Sequence, residues 1–189
     1  MATFLTGDKL NAVIGRIMDK AEKYLILVSP FIRLHPHYKE ILKVKRIDPD
    51  LQIIIVFGKS GADYTKSIYA KDLSFLQEFP NIEIRYEENL HAKYYANESS
   101  SVLTTMNLYD YSQENNIEAG VYARSNIFNN IFGDSLDNQA YSHFRLVIQN
   151  SELLFKKTPI FDRGMFHHKK KYKGSEVEID QFTNKSQLF

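Results

Sequence analysis

The sequence predicts an α/β domain built on a mixed, largely parallel sheet flanked by helices. Three observations carry that expectation. Short Val/Ile/Leu-rich runs at 24–29 and 51–57 alternate with segments of helical periodicity, the order that buries parallel strands between helices. Residues 82–86 alternate apolar and polar, as a strand with one wetter face does. Residues 91–97 and 102–105 are β-prone runs on either side of a polar turn, and a hairpin there makes the sheet mixed.

In chain order, Leu10, Val13, Ile14, Ile17, Met18 and Ala21 recur at helical spacing behind Thr6-Gly7-Asp8, where Thr6 or Asp8 can cap the helix. Residues 24–29 are a buried strand closed by Ser29-Pro30-Phe31, a structural turn that also lies where α/β sheets place their sites. Residues 35–45 are expected to be helical, and 51–57 form a second strand ending at Gly58-Lys59-Ser60-Gly61. That turn contains Gly-Lys-Ser, but a phosphate loop would need its first glycine at Ile53, so a plain strand-to-helix turn is predicted. A third helix is expected over 65–79, with Ile68, Leu73, Leu76 and Phe79 toward the core. Residues 117–123 are expected to be a strand carrying Glu118. Leu136, Ala140, Phe144, Val147, Ile148, Leu154 and Phe155 suggest one long amphipathic helix. The folded body is expected to span 1–156, with 157–189 a basic and polar segment packed on it or extending from it.

Hydrophobic residues at 43% and aromatics at 13% place the chain among globular rather than disordered proteins. No apolar run reaches membrane-spanning length, and residues 1–8 lack a basic stretch followed by an apolar one, so a cytoplasmic chain with no membrane partner is expected. Without cysteine there is no disulfide, thiol nucleophile or thiolate metal site. None of the six histidines falls in a zinc-like spacing with carboxylates, which points to chemistry without metal or other cofactor. The net charge of +1 hides an asymmetry: residues 156–173 carry seven Lys/Arg against one Asp, and residues 1–155 carry 16 basic against 19 acidic side chains. Within the basic block, Lys169, Lys170 and Lys171 are the candidate contacts to a phosphate backbone; a solvated surface segment is the alternative.

The most informative stretch is HAKYYANESSSVLTTMN, residues 91–107. On a strand, His91, Lys93 and Tyr95 share a face. A turn centred on Glu98 and Ser99 brings Thr105 to Asn107 back beside His91. An imidazole, an ammonium and a carboxamide then converge, a set suited to a tetrahedral phosphorus: fixed donors for its oxygens and a nucleophile or proton carrier near neutral pH. His-x-Lys alone is a weak signal, since it recurs at His37, His167 and His168, but none of those is followed by a Thr/Ser-x-Asn return strand.

This stretch resembles the signature of the phospholipase D superfamily: His-x-Lys, four residues, Asp, about six residues, then Gly or Thr, Ser or Thr, and Asn. His91, Lys93, Thr104, Thr105 and Asn107 match; Glu98 stands in place of the Asp, and the spacer after it is short. Glu118 fits the acidic residue found roughly ten positions past the Asn in nuclease members. The resemblance is specific over about residues 88–122 and implies a phospholipase D-like fold. It further implies a phosphodiesterase, most like the bacterial nucleases of the superfamily, with Glu98 structural. His91, Lys93, Asn107 and Glu118 would be catalytic and Thr105 would contact substrate. Members build one site from two copies of the motif and this chain holds one, so a homodimer with both His91 side chains at a shared site is expected. The expected partner is nucleic acid, DNA more than RNA. Two alternatives remain: a phospholipase or phosphatidyltransferase, and an inactive nucleic-acid-binding module.

Overall fold

The computed structural model describes residues 2–58, 64–109, 116–124, 135–162 and 171–185. Its centre is a nine-stranded sheet in the order β1-β9-β7-β6-β2-β4-β5-β10-β11, with β3 and β8 forming a separate two-stranded sheet. The strands are β1 (Ala2–Thr6), β2 (Tyr24–Val28), β3 (Ile32–Arg33), β4 (Gln52–Gly58), β5 (Ile82–Glu87), β6 (Lys93–Asn97), β7 (Ser100–Thr104), β8 (Leu108–Tyr109), β9 (Ala119–Arg124), β10 (Glu152–Asp162) and β11 (Lys171–Asp180). The helices are α1 (Gly7–Asp19), α2 (Pro36–Lys43), α3 (Ala70–Gln77), α4 (Leu136–Asn150) and the short α5 (Gln181–Lys185).

The expected α/β class holds, but the sheet is not largely parallel. Only β2·β4 and β4·β5 run parallel within it. The other neighbours, β1·β9, β9·β7, β7·β6, β6·β2, β5·β10 and β10·β11, are antiparallel. A parallel pair needs a crossover, and α2 and α3 supply one between β2 and β4 and one between β4 and β5.

The central strands are apolar throughout because both faces are covered. Leu25 and Leu27 of β2 join one core with Leu10, Ile14 and Ile17 of α1 and Tyr38 and Leu42 of α2. Their neighbours Ile26 and Val28 join a second core with Tyr94, Phe144 and Ile148. Helix α4 closes that second face, its Phe144 stacked on Tyr94 with ring centroids 4.2 Å apart. Ser135 caps α4, its side chain accepting from Asn138 N at 3.3 Å.

The helix ends at Asn150, so Leu154 and Phe155 lie on β10 and the long helix expected through them is cut short. Arg85 of β5 explains the stop. Its Nη1 donates to Ile148 O at 3.1 Å and Ser151 O at 3.2 Å, while Nε donates to Glu83 at 2.9 Å. A guanidinium on the last carbonyls is favourable at a helix C-terminus. The helix expected over 65–79 is a 3-10 turn at Tyr64–Lys66 followed by α3. Strands β1, β3, β8 and β11 had no counterpart in the sequence reading. The boundary expected after Lys156 falls inside β10, whose first half pairs with β5 and whose residues 155–162 pair with β11. No helix among the described residues is long and apolar enough to cross a membrane.

Candidate active site

Two hairpin arms set the site. Asn97 pairs with Ser100 and Lys93 with Thr104, so Glu98 and Ser99 form the turn and the motif's two ends meet at the opposite end of the hairpin. The turn is locked from its own residues. Asn97 Oδ1 accepts from Ser99 N at 2.8 Å and Ser100 N at 2.9 Å, and Asn97 Nδ2 donates to Ile17 O at 2.8 Å. The Glu98 carboxylate accepts from the consecutive amides of Glu22, Lys23 and Tyr24 at 3.0, 3.2 and 3.4 Å. It therefore pins the entry of β2 to the hairpin tip, far from the histidine end.

At that other end, Lys93 begins β6 and is buried, while His91 is exposed just ahead of the strand. Lys93 Nζ lies 3.3 Å from His91 Nδ1. An ammonium has only donors, so the contact makes Nδ1 the acceptor, and a neutral His91 ring then carries its proton on Nε2.

Asn107 sits between the hairpin and β8. Tyr95 OH donates to Met106 O at 2.7 Å, and Ser29 Oγ accepts from Leu108 N at 3.0 Å while donating to Phe31 O at 2.7 Å. Thus the Ser29-Pro30-Phe31 turn anchors the backbone on one side of Asn107 and a buried tyrosine anchors the other. The Asn107 Oδ1 is buried and has no hydrogen-bond partner among the described residues. Both ends of the Asn97 carboxamide bond within the fold, whereas Asn107 keeps an unpartnered oxygen.

Thr105, just past the end of β7, and Glu118, just ahead of β9 rather than on the strand expected over 117–123, come together. Thr105 N donates to Ala119 O at 2.9 Å, Ala119 N donates to Thr105 Oγ1 at 3.1 Å, and Thr105 Oγ1 donates to Glu118 Oε2. Asn116 Nδ2 donates to the other carboxylate oxygen at 3.3 Å. Within one chain, then, Glu118 orients Thr105 and is met by Asn116, not by His91. Gly120 allows this close approach of β9 to β7, for a Cβ there would stand 3.1 Å from Leu103 O.

The basic block divides. Lys169 and Lys170 lie outside the described residues, and Lys171 opens β11 exposed. Lys156 pairs with Glu178 at 2.7 Å, Lys173 with Asp162 at 3.4 Å, and Lys157 Nζ donates to Gln77 O at 3.1 Å. The Lys156 ammonium holds the Glu178 carboxyl below its ordinary value, and Glu178 in turn holds the Lys156 ammonium above its own.

One feature of the site has no counterpart in the sequence reading: a cavity of about 510 Å3 that has His91 in its wall. Helix α4 contributes His143, Leu146, Val147 and Asn150 to it, a spacing of three, four and seven that marks one helix face. Of these four, the sequence analysis singled out only Val147, because the apolar periodicity of the helix does not include His143 or Asn150.

No protein-family model and no curated protein matches the chain. Solved structures do. Nuc from Salmonella typhimurium, a phospholipase D family member, aligns with a TM-score of 0.58 at 13% identity over 81% of this chain and 98% of its own. The fold is that of the phospholipase D family. Phosphatidylserine synthase from Haemophilus influenzae Rd KW20 aligns with a TM-score of 0.63 at 15% identity over 81% of this chain and 39% of its own. TrmBL2, an archaeal chromatin protein with a novel mode of DNA binding, gives 0.50 at 12% identity over 80% and 53%. In this phospholipase D fold the hairpin of β6 and β7 carries the His-x-Lys and Thr-x-Asn pairs at one end of the sheet.

Proposed function

We propose that the chain is a metal-independent phosphodiesterase, specifically a nuclease, whose site is completed by a second copy of itself. One observation carries this: Asn107 stands at the same end of the hairpin as the Lys93–His91 contact. A fold that fixes a carboxamide, an ammonium and an imidazole at one end of a hairpin is suited to holding non-bridging phosphate oxygens, with the amide N–H and the ammonium donating.

The chemistry needs two histidines in different protonation states. One attacks phosphorus through a deprotonated nitrogen, giving a phosphohistidine as the leaving oxygen departs. The other donates the proton that the leaving oxygen takes up, then removes one from water for hydrolysis. The donating ring must be the imidazolium, whose two nitrogens both carry protons, so the Lys93 contact at Nδ1 belongs to the neutral ring and is given up when that ring is charged. A carboxylate on Nδ1 would suit the attacking state, and Glu118 of either chain is the candidate. Lys93 and Asn107 from both chains would offset the charge that builds on the oxygens in the pentacoordinate state.

A nucleic-acid substrate is supported by the basic block and by the fold likeness to a DNA-binding chromatin protein. The likeness to a phosphatidylserine synthase keeps a lipid substrate as the competing outcome. The test is incubation with labelled DNA, RNA and a phosphatidyl lipid in the presence of a chelator. Nucleic-acid cleavage is expected; cleavage of lipid alone, or a strict need for divalent metal, sinks the proposal. His91→Ala, Lys93→Ala and Asn107→Ala should each cost several orders of magnitude in turnover with the fold retained, and Glu118→Gln about 10²-fold. Light scattering should give twice the 22.0 kDa chain mass, and dimers mixing wild type with His91→Ala should lose most activity. An active monomer would defeat the shared site.

A further inference from the structure

We propose that the cavity beside His91 is a nucleobase subsite that favours bases bearing an exocyclic amine over thymine and uracil. The inference rests on the nuclease reading and adds a preference to it. The cavity's volume of about 510 Å3 falls in the range of small organic ligands. One wall is the β5–β6 connection, with Glu87 and Asn89; the other is the α4 face, with His143, Leu146, Val147 and Asn150.

Its charge excludes a second phosphate. Among the described residues no lysine or arginine lines it, and Glu87 places a carboxylate there, so an anion would be repelled while one at Lys93 would be held. A neutral group attached to the scissile phosphate fits instead. The apolar side of the cavity offers Leu146, which is 58% exposed, together with the partly buried Val147. Such a surface is suited to the face of a planar ring, and the His143 ring lies one turn away on the same helix face.

The rim reads an edge rather than a face. Glu87 Oε1 accepts from Asn89 N at 3.1 Å, which fixes the carboxylate against the β5–β6 connection and leaves its second oxygen for a donor. Carboxylates accept from the exocyclic amine of cytosine, and carboxamides pair with the amine and ring nitrogen of adenine. Asn89 and Asn150 supply those carboxamides. Thymine and uracil have no exocyclic amine and would set a carbonyl oxygen against Glu87.

Short homo-oligonucleotides of deoxycytidine or deoxyadenosine should be cleaved with kcat/KM roughly tenfold above those of thymidine. Glu87→Gln and Asn150→Ala should abolish that ratio, while hydrolysis of the base-free diester methyl nitrophenyl phosphate stays within about twofold. Equal rates on all three oligonucleotides, with the small diester still hydrolysed, would overturn the subsite and leave the phosphodiesterase standing. A second measurement needs no turnover. Titration of the wild-type protein with deoxycytidine, followed at the Leu146 and Val147 methyl resonances, should give shifts at lower ligand concentration than titration with thymidine. Failure of every diester to react would defeat the nuclease reading, and this titration would still decide the cavity. Indistinguishable responses to the two nucleosides, or shifts only with a short-chain phosphatidylserine, would overturn the proposal.

Discussion

At the scale of single residues, two acids that the motif places around the site do different work. Glu98 holds three consecutive amides at the entry of β2, and each is a hydrogen bond to a charged acceptor. Glu98→Ala should therefore cost roughly 1–3 kcal/mol in denaturant unfolding. Turnover by the surviving folded protein should be unchanged. Unaltered stability, or a specific loss of turnover, would refute the structural role. Glu118 instead meets Thr105 and Asn116 beside the candidate site. Sequence spacing identified both positions, yet it could not tell which groups their oxygens would meet, because those donors lie anywhere from 2 to 76 positions away. The tautomer-setting contact between Lys93 and His91 was equally out of reach: a shared strand face was legible, but His91 precedes the strand. The basic lysines offer the fifth test of function. Replacing Lys169, Lys170 and Lys171 with Ala should weaken nucleic-acid binding about uniformly across sequences and flatten its salt dependence. Hydrolysis of a small nitrophenyl diester should barely change. An unaltered salt slope would return the block to a solvated surface role.

Among elements, legibility followed burial. Helix α1, strands β2, β4 and β5 and the β6–β7 hairpin were predicted because each buries a face or two, and burial writes a period into sequence. Strand β1 is nearly all exposed, and β11 is exposed or half-exposed along its length, so neither carries an alternation to read. Leu154 and Phe155 misled for the opposite reason: they are buried on β10 and happen to continue the period of α4 past its cap at Ser151. Strand ends show how tight the packing is. A Cβ on Gly58 would stand 1.8 Å from Glu87 O, whereas one on Gly120 would first meet the Leu10 Cδ1 atom at 2.9 Å. Backbone cannot step aside as a leucine tip can. Gly58→Ala should thus destabilise by roughly 1–3 kcal/mol or more, and by a larger amount than Gly120→Ala, in urea titrations. The reverse ranking would mean that β4 and β5 can separate at their ends, which would also loosen Glu87 in the cavity wall.

Across the whole molecule, the sheet divides two unequal cores, and tyrosines sit in both. Tyr38 and Tyr95 belong to the core beneath α1 and α2, while Tyr94, with Tyr24 against it, belongs to the core beneath α4. Desolvation is the leading cause that lifts all four phenols well above their ordinary value of 10.0; neighbouring tyrosines and acids add to it at Tyr24, and Asp137 and Tyr141 add at Tyr94. A raised folded value means that the native state keeps its protons longer than the unfolded chain does. The contribution to stability is then fully present below pH 10 and is lost as pH rises from there toward the folded values. Because one sheet joins both cores, loss of packing around either set of phenols should carry over to the other core. Of the twelve tyrosines, these four should give their tyrosinate absorbance only together with loss of the far-ultraviolet circular dichroism, in one cooperative alkaline transition. Smooth titration of all twelve around pH 10 with the dichroism intact would show that water reaches both cores in the folded chain.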